Sequence, residues 1–243
     1  MTGRESNDLL DLIYRCIVCE TKEDLSGLLR DIGSLFSYDY ATCVFGGMEG
    51  SVINEPYHTL NINFPEEWVN LYVERKYHLD DPIFKKHFQD FAVQYWEDTY
   101  KRNSVPKEFL KLSTDFKLDK GYTHGARNLK GTRGSLISFS GSGLSKEVRT
   151  EVIIELVVPH LHQAIEKIIQ NQKIRSYKKL SARETETLKW LVHGKTAWEI
   201  SVIMGISERT VRYFIHSITE KLDAVSSIHA AAIGLDLGLV HLD

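Results

Sequence analysis

Arg209, Arg212, Tyr213 and His216 lie within one turn-repeating stretch near the C-terminus, and all carry donors suited to base edges or phosphates. Thr210 and Ser217 stand in the same stretch. Val211, Ile215, Ile218 and Leu222 recur between them at spacings of 4, 3 and 4, the signature of a helix with one apolar face. That face must pack on Leu188, Leu191, Ile200 and Ile203, which leaves the polar set pointing outward. Lys195 and Thr196 stand where a preceding helix should begin, and a helix N-terminus attracts a phosphate. Charge alone would equally describe a solvated face. The turn chemistry around these residues decides for DNA.

A second constellation lies in the first half. Trp68 and Tyr72 are four apart and share a helix face. An indole N–H donates and cannot accept, so it suits a ligand carbonyl. Asp81 precedes Pro82, is therefore extended or in a turn, and offers an acceptor to an amide N–H. A charged acceptor roughly doubles the strength of a hydrogen bond, and a carboxylate buried without a partner is costly. Taken singly, such an aromatic pair is usually core and such an Asp-Pro a surface turn.

Other candidates fall away. Cys16 and Cys19 lie in an apolar stretch with no second pair to complete a zinc site, so they and Cys43 read as buried thiols. His160 and His162, two apart on a helix, point away from each other. No metal site is expected. No nucleophile–base–orienter set emerges, and an enzyme is not expected.

The elements that must hold these groups divide the 243 residues in two. Residues 1–172 hold 20 Lys+Arg against 25 Asp+Glu, and residues 173–243 hold 10 against 8, a mildly basic tail on an acidic body. The hydrophobic share of 42% is that of a folded protein. The acidic start predicts no secretory signal, and no apolar run reaches membrane-spanning length, so a cytoplasmic protein without a membrane partner is expected. In the first part, Leu9, Leu12 and Ile13, then Leu25, Leu28, Leu29 and Ile32, predict two helices. Strands are predicted at residues 40–45 and 52–62 around a Gly46–Gly47 turn, and at 122–129 and 135–140 joined through Gly131–Gly134. A short helix should begin at Pro65. A long one is predicted over residues 145–172, burying Val148, Val152, Leu156, Leu161, Ile165 and Ile168 and kinked at Pro159.

The polar, basic residues 170–179 read as a linker. Beyond it, Ser181 with Glu184 and Thr196 with Glu199 form two capping boxes, Gly194 stops the first helix, Gly205 occupies the next turn, and Ser207 caps a third helix. A fourth helix is predicted over residues 226–235. Two helices joined by a short glycine-containing turn form a helix-turn-helix.

At this point the residues resemble a known family. Residues 180–243 are similar to the DNA-binding domain of LuxR-type regulators, with Glu184, Leu188 and Gly194 at its signature positions and Gly194–Ser201 and Ser207–Val211 following its pattern. Arg212-Tyr213-Phe214 departs from it, which bears on the target sequence. Trp68, Tyr72, Asp81, Pro82, Trp96 and Gly125 match six signature positions of the branch that senses acyl-homoserine lactones. The resemblance implies an α+β protein: an N-terminal α/β/α sandwich on a central antiparallel sheet (1–170, autoinducer binding and dimerisation), a linker (171–179) and an all-α four-helix helix-turn-helix domain (180–243).

It further implies an N-acyl-homoserine lactone as ligand, with no other cofactor. Trp68 would meet the lactone carbonyl, Asp81 the amide N–H and Ser138 the amide carbonyl, with Tyr72 and Trp96 as aromatic walls. Phe64 stands where several members have a tyrosine whose hydroxyl helps hold that carbonyl. Arg127, after a strand shorter than usual, would face either the pocket, with a polar or shortened acyl group, or solvent. The implied partners are double-stranded DNA with an inverted repeat, a second copy of the chain and, for an activator, RNA polymerase. Two alternatives stand beside this: the same architecture sensing another small molecule, and a phosphorylation-driven response regulator, which the lack of βα alternation disfavours.

Overall fold

Thr2 and Thr21 begin the first two helices with capping boxes in which Glu5 and Asp24 reach back to the cap N–H. Helix α1 (Gly3–Val18) buries Leu9, Leu12 and Cys16, and α2 (Lys22–Ile32) buries Leu25, Leu28, Leu29 and Ile32. The computed structural model describes residues 2–53 and 57–242. There follow β1 (Tyr40–Glu49), β2 (Val52–Ile53), β3 (His58–Asn61), α3 (Glu66–Glu74), α4 (Pro82–Asp90), β4 (Gln94–Tyr95), α5 (Trp96–Arg102), α6 (Lys107–Asp115), β5 (Gly121–His124), β6 (Arg133–Ser140) and α7 (Val148–Ser176).

The strands form one antiparallel sheet in the order β2-β1-β6-β5-β4, with β3 pairing along the same edge of β1 as β2. The pleat turns alternate residues to opposite faces. Thr42, Val44, Leu136 and Ser138 share one face, under α3 to α6, and line a cavity there. On the other face Phe45 meets His162 of α7, and Phe139 is packed by Phe36 and Tyr38. Helices thus cover both faces of the antiparallel sheet.

Several sequence readings need correction. Gly46–Gly47 is not a turn but lies inside β1; a Cβ on Gly46 would come within 3.0 Å of Tyr57 and Ile53, so the glycine serves close packing. The reversal comes instead at Gly50, with φ of +62°. Strand 122–129 ends at His124, and beyond it a lone bridge joins Arg127 to Gly134, which belongs to β6. The expected strand 52–62 is two short ones, and residues 54–56 of that reading lie outside the described residues. In α7, Val148, Val152 and Leu156 are exposed. Its buried stripe runs through Ile154, Val157, Leu161, Ala164, Ile165 and Ile168. The helix is apolar on more than one face, so periodicity found Leu161, Ile165 and Ile168 in the C-terminal half of the buried stripe and missed its N-terminal half.

The chain divides into two compact units between Ile168 and Ile169. Helix α7 continues to Ser176, so most of the polar stretch 171–179 is helical. The second unit then holds α8 (Ala182–Val192), α9 (Ala197–Met204), α10 (Glu208–Lys221) and α11 (Ser227–Asp236). The boxes at Ser181 and Thr196 form, Gly205 adopts the left-handed C-cap, and Ser207 and Ser226 cap the last two helices. Leu188, Ile218, Leu222 and Ala230 make one core, and Ile200, Met204 and Val211 a second. Ile203, expected in that core, is exposed, and Met204 takes its place.

Candidate functional site

The cavity under the sheet has a volume of about 110 Å³ and is walled largely by aromatic rings, including Tyr57, Phe64, Trp68, Tyr72, Trp96 and Tyr100. Helix α3 supplies Trp68 and Tyr72, one turn apart with centroids 6.0 Å from each other. Asp81 enters at the N-cap of α4, where Pro82 fixes the first helical residue. Exposed Thr59 and Val73 are lining residues too, so the cavity opens to solvent beside them.

Polar groups in this apolar space are few and specific. Asp81 accepts from the Ile83 N–H at 2.8 Å and from the Tyr72 hydroxyl at 2.9 Å. Burial pushes its carboxyl up to about 6, and those two bonds only partly counter it. Asp81 is therefore partnered before any ligand binds. Tyr72, read as a wall, in fact partners it. Burial also raises the Tyr72 phenol well above its ordinary value, so it remains a donor. The Trp68 indole N–H has no hydrogen-bond partner among the described residues and is available to an acceptor in the cavity. Ser138 presents its hydroxyl from β6.

Other predicted residues fall differently. Phe64 lines the cavity as a ring without a hydroxyl. Gly125 does not line it. A Cβ there would lie 1.9 Å from the Ser135 carbonyl oxygen and 2.6 Å from His87 Nε2, so Gly125 permits the approach by which His87 Nε2–H donates to that carbonyl at 2.8 Å. Burial drops the His87 imidazole to about 4. Arg127 is exposed, 5.9 Å from the Phe91 ring, and takes the solvent-facing alternative. His162 Nδ1 bonds the Ser135 hydroxyl at 2.8 Å, a packing role consistent with its burial. Cys16, Cys19 and Cys43 are free and buried, and burial raises the thiol of each.

In the second unit, Arg209, Arg212, Tyr213 and His216 are exposed on α10, with Thr210 half-buried beside Ser207. Glu208 holds the Arg212 guanidinium at 2.6 and 3.0 Å. Thr196 is exposed at the start of α9, and Lys195 lies 3.8 Å from Glu199. Ser217 does not join this face: it donates to buried Glu184 at 2.6 Å. Lys221 also reaches Glu184, at 2.6 and 2.8 Å. Burial opposes ionisation of Glu184, yet Lys221, Ser217 and the Ser181 N–H outweigh it and hold the carboxyl down to about 2. Glu184 therefore ties the start of α8 to the end of α10, while Leu188 is fully buried and Gly194 turns with φ of +74°.

Residues 21–165 match the autoinducer binding domain, and residues 178–233 match the bacterial regulatory proteins of the luxR family. The chain belongs to the LuxR-type transcription regulators. Among LuxR-type relatives, it is 27% identical to the transcriptional activator protein AnoR of Acinetobacter nosocomialis, covering 95% of this chain and 98% of that one. It is 28% identical to the quorum sensing-dependent transcriptional regulator RpaR of Rhodopseudomonas palustris, over 99% of this chain and 96% of that one. The crystal structure of Escherichia coli SdiA shares the fold, with a TM-score of 0.65 at 22% identity over 96% of this chain and 98% of that one. The chain is thus an autoinducer-binding, helix-turn-helix regulator of the quorum-sensing type. No helix among the described residues is long and apolar enough to cross a membrane.

Three polar lining or supporting residues of this LuxR-type cavity escaped the sequence reading: Thr42, Tyr100 and Thr123. Thr42 and Thr123 flank Ser138 in register on β1 and β5, and Tyr100 faces the cavity from α5. A lone threonine in a strand carries no local signal, and only the register brings the hydroxyls of Thr42, Ser138 and Thr123 into one row.

Proposed function

We propose that this regulator binds an N-acyl-homoserine lactone in the cavity of its first unit and, as a homodimer in the cytoplasm, delivers two copies of α10 to an inverted-repeat promoter site. The observation that carries the ligand class is the pairing of the Asp81 carboxylate with the unpartnered Trp68 N–H and the Ser138 hydroxyl on one small apolar cavity. An amide offers an N–H to the first, and two carbonyls offer acceptors to the others. Ligand that binds only the folded state stabilises it, which couples lactone concentration to the population of DNA-competent protein. Arg209, Thr210, Arg212, Tyr213 and His216 would meet the major groove, with Lys195 and Thr196 on a flanking phosphate. Glu184, Leu188 and Gly194 hold the helices that present them. AnoR is named a transcriptional activator, and an activating output here would add RNA polymerase as a partner.

The deciding experiment is a promoter reporter with lactones of graded acyl length, run on wild type, Trp68→Phe and Asp81→Asn. Both variants should lose the response, while the isolated residues 173–243 still bind DNA. A normal lactone response from Asp81→Asn would sink the assignment. Phe64, lacking a hydroxyl, and the small cavity favour a second reading, in which the same architecture takes a different, compact small molecule. A melting-temperature screen that finds stabilisation by such compounds and by no lactone would select it.

A further inference from the structure

On β5, Thr123 is fully buried, and its hydroxyl lies 2.8 Å from the Trp96 indole nitrogen and 2.8 Å from the Ser138 hydroxyl. The indole N–H can only donate, so Thr123 Oγ1 must accept from it. The Thr123 proton then needs an acceptor. Ser138 Oγ is its one hydrogen-bond neighbour besides Trp96 among the described residues. With Thr123 donating, the proton left over is the one on Ser138, which lines the cavity, and not one on fully buried Thr123, where an unpaired polar group is most costly. Ser138, having accepted, keeps its own proton free, and Ser138 lines the cavity.

We infer that Thr123 is a positioning residue: the chain Trp96 N–H to Thr123 O–H to Ser138 O–H fixes Ser138 as a hydrogen-bond donor, so the ligand group beside it must be an acceptor. This rests on the reading of the cavity as the ligand site. It assigns Trp96 a second task besides forming a wall, because its indole sets the polarity of the chain. A donating Ser138 agrees with the role that the resemblance implies for it, toward an amide carbonyl, and Thr123 is what holds it to that role.

The test uses the full chain as Thr123→Val, Thr123→Ser, Ser138→Ala and the Thr123→Val/Ser138→Ala double variant. In ligand-free protein the Trp96 indole N–H resonance should move upfield in Thr123→Val, stay in place in Ser138→Ala and return in Thr123→Ser. Affinity for N-octanoyl-homoserine lactone, measured by calorimetry, should fall about tenfold in Thr123→Val, the worth of one hydrogen bond. Ser138→Ala should lose a similar factor, the double variant no more than the worse single one, and Thr123→Ser should recover wild-type affinity. An unmoved Trp96 resonance in Thr123→Val, or losses that multiply in the double variant, overturns the relay. Wild type that binds no lactone overturns the ligand reading instead, and the resonance still decides the relay.

Discussion

The Tyr72 phenol donates to Oδ2 of Asp81 at 2.9 Å across nine residues of sequence, joining the wall of the cavity to its one carboxylate. Burial raises the Asp81 carboxyl and this bond pulls it down, and the balance stands at about 6. Tyr72→Phe removes it while keeping the ring. The Asp81 value should rise further, toward neutrality, so that a larger fraction is protonated at pH 7 and accepts less well. Lactone affinity should then drop about tenfold at pH 6.5 and less at pH 8.5. Titration calorimetry at those two values checks it, and a loss independent of pH would deny the bond its electrostatic role.

Asp81 also writes a sign into the pH dependence of stability. Its folded value is raised above the ordinary 3.8, so its contribution is fully present below about 4 and is lost as pH rises through about 6. His87, depressed from 6.5 to about 4, acts oppositely: its contribution is present above 6.5 and lost as pH falls toward 4. The two overlap, so the Asp81 effect must be read as a difference. Asparagine caps a helix as well as aspartate does. Asp81→Asn should therefore gain stability relative to wild type as pH rises from 4.5 to 7, up to a ceiling of roughly 3 kcal/mol, seen as a growing difference in melting temperature. A pH-independent difference between the two would refute the assignment of buried charge.

What could be read from the sequence was what is local. The boxes at Ser181 and Thr196 and the cap at Ser207 are spelled within four residues, and all three form. The six-residue pattern from Trp68 to Gly125 found the cavity's address, yet it could not separate contact from support. Gly125 belongs with His87 and Ser135, behind the site, because its role is a backbone approach that only three dimensions define. The same holds for Val148, Val152 and Leu156, apolar at helical spacing but on the exposed side of α7. Thr123 meets Ser138 through strand register and the Trp96 indole through a hydrogen bond, and neither pairing has a signature in the chain.

Gly125 yields a direct check on that division. A methyl there would overlap the Ser135 carbonyl oxygen, which is backbone and cannot swing aside, and would displace His87 from its hydrogen bond. Gly125→Ala should destabilise the first unit by about 3 kcal/mol, the upper end of overpacking. Ligand should still raise the melting temperature of the surviving folded protein, because the cavity lining is intact. Gly143→Ala, with nothing near its Cβ, serves as the control. A Gly125→Ala protein of normal stability that has lost only lactone binding would return Gly125 to the cavity.

On α10, Glu208 engages Arg212 through both Nε and Nη2, and this bears on DNA recognition. The exposed pair itself adds little stability. Its consequence is that the guanidinium is pre-aligned along the helix and its charge is partly offset. Two outcomes separate base reading from phosphate contact. If Arg212 reads a base edge, Arg212→Ala should cost about 1–3 kcal/mol on the cognate site, with the loss confined to one base position. If it holds a phosphate, affinity should fall across all sequences and the salt slope should shrink by about one. Glu208→Gln frees the arginine and removes a negative charge near the phosphates, so it should tighten nonspecific binding at low salt while reducing discrimination between sites. Fluorescence anisotropy on cognate and scrambled duplexes across salt concentrations reads all three quantities. Unchanged affinity and slope in Arg212→Ala would remove this residue from the interface and leave Arg209, one turn nearer the helix start, as the first arginine to test.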